Sequence, residues 1–155
     1  MNFLESIDEA SRIIRTASHL TYVTFPLVKE KRLLLKILVE VKKAITKCIN
    51  SMLQFDYLYK RVGLTTDSEK NIQTFITKTA TRFNINREEI KQVLELFSII
   101  EKHNKSSMEF VKDEKIVILN GNSQTTIITI ERTKEFISLA ENLLKKTEKG
   151  IISST

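Results

Sequence analysis

Eight apolar residues, Leu34, Leu38, Val41, Ile45, Cys48, Met52, Phe55 and Tyr59, step along the chain by alternating intervals of four and three. That spacing keeps all eight on one side of an α-helix, as in a heptad seam. Ile37, Ala44, Ile49 and Leu53 widen the stripe. The pattern predicts one long helix over residues 27–61, and this constrains the fold more than any other feature. Such a helix would be ~50 Å long, against a diameter of ~40 Å for a compact domain of 155 residues. It must therefore bend (Asn50-Ser51 is the weakest point), project, or pack against a second subunit. A homo-oligomer is the expectation that follows.

The same segment carries the charge. Between residues 29 and 61, nine basic groups face only Glu30, Glu40 and Asp56, and their difference equals the whole formal net charge of +6. On a helix, Lys29, Arg32, Lys36, Lys43 and Lys47 fall within about 60° of one another, roughly opposite the seam. Tyr57 leaves the seam beside Lys60 and Arg61, a pairing typical of interfaces. Phe55 and Tyr59 lie on the seam and are expected in the core. A local positive field of this kind attracts an acidic protein partner or RNA.

The remaining segments are shorter. Ile7, Ala10, Ile14 and Ala17 mark a first helix over residues 3–18. The β-branched, aromatic stretch from His19 to Val28 contains Pro26 and reads as a helix end followed by an ordered, extended connection. Gly63 reads as a helix stop. Asp67 is among the residues able to cap a third helix ending near residue 83, and Asn86 with Glu89 forms a capping-box pattern for a fourth. The period then changes to two. Met108–Lys112 and Lys115–Leu119 read as strands around Asp113-Glu114, and a further strand follows Asn120-Gly121-Asn122-Ser123. Thr129 can cap a last helix, with Gly150 as its stop and residues 151–155 as a tail. The expected fold is mainly α: a single domain over residues 1–150, about five helices with one of them long, and a small antiparallel β-hairpin or meander near residues 108–130, before the C-terminal helix.

Composition narrows the chemistry. One cysteine and two histidines leave no zinc-ligand pattern, so no metal and no cofactor are expected. Cys48 lies on the seam, where a thiol acts as a small hydrophobe. No apolar run is long enough to span a bilayer, so no membrane association is expected and the expected location is cytoplasmic.

One constellation remains, Arg12-Ile-Ile-Arg15-Thr-Ala-Ser-His19, in a chain with a long second helix and a Glu/Lys-rich amphipathic helix at its end. It resembles the HEPN-like superfamily of small helical proteins and, more loosely, small archaeal helical proteins rich in Ile and Lys. In nuclease members an Arg-x(4–6)-His motif supports metal-independent RNA cleavage. The resemblance implies that Arg12 would stabilise the phosphate and His19 would transfer the proton. The chain departs from that pattern in placing the motif on its first helix and Ile13 after the arginine. Two functions are therefore expected: foremost a non-enzymatic, basic interaction module, and alternatively a HEPN-like ribonuclease or an inactive toxin–antitoxin relative.

Overall fold

The computed structural model describes residues 3–106, 108–121 and 124–153. Five helical rods surround one apolar core, with a three-stranded antiparallel sheet inserted before the last rod. The mainly helical fold expected from the sequence is the one observed.

The first rod combines α1 (Phe3–His19), a π-helical turn (Leu20–Thr24) and α2 (Phe25–Val28). The extended connection expected over 19–28 is thus helical. Phe25 stays in the right-handed region although a proline follows it. The π turn immediately before Pro26 widens the backbone, giving the ring room and absorbing the donor that proline lacks. Lys29 then turns left-handed (φ 53°) and ends the rod, its N–H donating to the Phe25 carbonyl at 2.8 Å.

The long helix, α3, is consequently shorter than the seam suggested. It spans Leu33–Leu58, 26 residues, or about 39 Å, and so fits within the domain. The length argument for a second subunit disappears with this correction. Its apolar face is covered by α1, by α7 (Ile130–Ser153) and by α6 (Arg87–Asn104). Every seam residue is buried except Tyr59, which lies beyond the helix end.

That end is closed by Lys60, not by Gly63. Lys60 is left-handed (φ 59°), its N–H donates to the Tyr57 carbonyl, and the Arg61 N–H donates to the Asp56 carbonyl. Together these make a Schellman stop with lysine in the place glycine normally takes. Asn84 (φ 58°) closes the third rod in the same way. That rod runs through α4 (Ser68–Thr74), a second π turn (Phe75–Thr79) and α5 (Ala80–Arg82). Its cap is Asp67, whose carboxylate accepts from the N–H groups of Glu69 and Lys70.

The capping box of Asn86 and Glu89 is formed at the start of α6. The buried face of that helix is Glu89, Val93, Leu96 and Ile100, and Leu94 is exposed. The Glu89 carboxylate is also bound by Lys146 at 2.5 Å.

Strands β1 (Met108–Lys112), β2 (Lys115–Leu119) and β3 (Thr125–Ile128) form the sheet in sequential order. Asp113 and Glu114 are both left-handed, which makes the β1–β2 connection a tight two-residue turn. Ile116, Ile118 and Ile128 point into the common core. Asn122 and Ser123, named in the expected second loop, lie outside the described residues. Thr129 caps α7, accepting from the Arg132 N–H at 3.1 Å. Gly150 does not stop that helix, which continues to Ser153 with Ile151 buried. Of the expected tail, only residues 154 and 155 lie outside the described structure. Among the described residues no helix is long and apolar enough to cross a membrane.

Candidate interaction surfaces

Because α3 is the central helix of the bundle, its lysines do not form one continuous face. They separate into two ends and a neutralised middle. In the middle, Lys43 pairs with Glu40 at 3.3 Å and Lys47 with Glu9 of α1 at 2.6 Å. Lys47 is the rim of the α1–α3 contact, and its hydrogen bond holds the Glu9 carboxyl below its ordinary value.

The first end is the corner between α2 and α3. Its local geometry follows from short-range bonds: the Glu30 carboxylate accepts from the Arg32 N–H at 3.1 Å, which turns the chain into α3. Lys31 reaches across to the β1–β2 turn and pairs with Glu114 at 2.6 Å, keeping that carboxyl's pKa low. Lys29, Arg32 and Lys36 are exposed and carry no ion pair among the described residues. Leu27 and Val28, 80 % and 58 % exposed, project beside them. Apolar side chains left so exposed gain little from folding.

The second end lies about 39 Å away along α3, beyond Leu58. Tyr57 and Leu58 are 57 % and 62 % exposed, and Tyr59 is 46 % exposed instead of buried. Tyr57, Leu58, Gln54, Lys60, Val62 and Leu64 line a groove of about 910 Å³, with Phe3 of α1 as its far wall. Beneath it lies an arrangement the sequence reading passed over. Asp56 is completely buried and receives Arg82 from α5 at 2.9 and 2.8 Å, and Arg61 at 3.4 Å. The Arg61 guanidinium also rests over the Tyr59 ring, 5.1 Å from its centre. A buried carboxylate held by two half-exposed guanidiniums ties the end of α3 to α5. The heptad step from Ile49 falls on position 56, so the seam itself placed this aspartate inside. Arg82 left no such signal, since its partner lies 26 positions earlier.

The two residues of the nuclease-like motif both lie on α1 and are both exposed. They are seven positions apart on the helix, which puts them on one stripe ~10 Å apart along the axis. Arg12 shares a shallow depression with Asp8, Ser11 and Arg15, and His19 is not among its lining residues. Cys48 is buried, and loss of solvation pushes its thiol up to about 12, far from a nucleophile's range. No group of three metal-ligating side chains occurs among the described residues.

No protein-family model matches this chain, and a search of curated proteins likewise finds no match.

Proposed function

We propose that the protein is a non-enzymatic interaction module whose α2–α3 corner docks an acidic protein partner. The observation that carries this reading is the placement of Leu27 and Val28, largely exposed, beside Lys29, Arg32 and Lys36, three exposed cations that form no direct ion pair among the described residues. An apolar centre with a cationic surround supplies both contact area and steering toward an acidic surface.

The test is a titration of the protein against an acidic polypeptide, poly-glutamate, and against short single-stranded RNA, at low and moderate salt. Saturable poly-glutamate binding that weakens with salt and is lost in a Lys29→Glu, Arg32→Glu, Lys36→Glu variant supports the reading. Binding that survives charge reversal sinks it, and a preference for RNA would transfer the corner to phosphates. Homo-oligomerisation is a competing use of the same corner. It has the opposite signature, because like charges from two copies would face each other: the mass by light scattering would rise with salt.

A ribonuclease reading is favoured by one observation, the exposure of Arg12 and His19 on a single stripe. An imidazole and a guanidinium so placed can act on one phosphodiester backbone. Cleavage of the titrated RNA, abolished by His19→Ala, is the outcome that would establish it.

A further inference from the structure

We propose that the groove lined by Gln54, Tyr57, Leu58, Lys60, Val62 and Leu64 receives a short amphipathic helix with an acidic outer face, giving the module a second docking site opposite the first. The proposal rests on the acidic-partner reading of the corner and extends it to a distinct, concave surface.

Three observations converge. The groove is apolar along its floor, with Val62 buried and Leu64 half-buried, and Tyr57 and Leu58 stand open at its side. Apolar anchors spaced i and i+4 on a helix fit a trough of this kind. Its rim is cationic: Lys60 lines it, and Arg61 follows, pinned over Tyr59 by Asp56. The third is a backbone feature. Lys60 occupies a left-handed position where glycine would fit without strain, and so does Lys29 at the first surface. Lys29 at the end of α2 and Lys60 after the end of α3 are thus each kept at a conformational cost, and each borders exposed apolar side chains.

The same charges decide between occupants. One apolar projection that another copy could bring to the groove is the corner of Leu27 and Val28. That corner brings Lys29, Arg32 and Lys36 with it, and these would face Lys60 and Arg61. Like charges brought together at an interface are repulsive, so that corner of a second copy is the wrong occupant. An acidic helix carries the complementary sign.

The experiment uses the full chain and a fluorescent helical peptide with leucines at i, i+4 and i+7 and glutamates on its outer face. A second peptide has lysines in place of the glutamates. Saturable binding of the acidic peptide alone is expected. Leu58→Asp should weaken it at least about tenfold, as for a buried anchor. Lys60→Gly is the decisive variant, because relief of the left-handed lysine raises the melting temperature while the loss of the cation weakens the peptide. A lysine with a purely structural role would show the first effect without the second.

No saturable binding, equal binding of both peptides, or affinity unchanged in Leu58→Asp and Lys60→Gly overturns the proposal. Displacement of the peptide by single-stranded RNA with higher affinity overturns it as well, in favour of base stacking on Tyr57. A Leu27→Asp, Val28→Asp variant separates the two surfaces. If it alone abolishes peptide binding, the groove is refuted and the corner stands. If the groove variants alone do so while charge reversal at the corner leaves poly-glutamate binding intact, the corner is refuted and the groove stands.

Discussion

Replacing Gly150 with alanine should destabilise the protein, although glycine in a helix interior is normally the weaker residue. Gly150 lies inside α7, between the buried Thr147 and Ile151. A Cβ at this position would stand 2.4 Å from Cδ1 and 2.6 Å from Cε1 of Phe83, where ordinary contacts begin near 3.4 Å. The ring would have to retreat by about 1 Å, against a core with few voids to receive it. Phe83 is itself buried and packs edge-on against Phe55, with ring centres 6.1 Å apart, so its retreat would disturb the end of α3. Overpacking of this kind costs ~1–3 kcal/mol, and the tight contact places Gly150→Ala toward the upper part of that range. The substitution also recovers ~1 kcal/mol of helix propensity. The net expectation is a loss of about 1–2 kcal/mol, or ~3–6 °C in melting temperature for a domain of this size. Chemical denaturation of Gly150→Ala, Phe83→Leu and the double variant would test it. The cycle should show positive coupling of at least ~0.5 kcal/mol, because a smaller side chain vacates the space the new methyl needs. A Gly150→Ala protein more stable than the parent would refute the close-approach argument and leave the glycine without a packing role.

Other expectations follow from the same structure. Arg82→Ala should destabilise more than Arg61→Ala, because Arg82 supplies the two short bonds to the buried Asp56 carboxylate and Arg61 a single longer one; unfolding free energies from urea titration should differ by ~1 kcal/mol or more, and equal losses would refute the assignment of the clamp to Arg82. Glu9 is held below its ordinary pKa of 4.5, chiefly by the Lys47 hydrogen bond. A depressed carboxylate stabilises the fold above the unfolded value and loses that contribution as pH falls through the folded one. Thermal melts between pH 6 and about pH 3 should therefore decline less steeply for Glu9→Gln than for the parent, and parallel curves would contradict the pairing. Cys48, with its thiol pushed up to about 12, should resist iodoacetamide at pH 8 until denaturant opens the core; rapid labelling of the folded protein would show that the seam is solvent-accessible.

Local signals carried much of the fold. The heptad steps of α3, the capping box at Asn86, the Asp67 and Thr129 caps and the change to a two-residue period each express short-range physics, and each was legible from adjacent residues. The candidate surfaces were legible in part. Tyr57 was expected to be exposed and is, while Tyr59 was assigned to the seam and lies past the helix end. Leu27 and Val28, read as part of an extended connection, are helical and project. The basic stripe was read as one face because helical phase was extended over 27–61. It divides because Lys29 turns left-handed and because α1 brings Glu9 to Lys47.

By itself, the sequence determined what depends on a few neighbouring residues: the helical seam of α3, the N-caps at Asp67, Asn86 and Thr129, the two-residue period of the strands, and how the +6 charge is distributed along the chain. The tertiary structure alone decided what depends on partners far along the chain. It ended α3 at Lys60 instead of at Gly63, buried Asp56 between Arg61 and Arg82, and set Gly150 against Phe83. It also left apolar side chains uncovered at both ends of the central helix. The physical reason is that periodicity fixes the direction of a side chain on its own element, whereas burial and pairing depend on which other element arrives there. For this chain, the surfaces proposed to bind are the places where none of its own elements arrived.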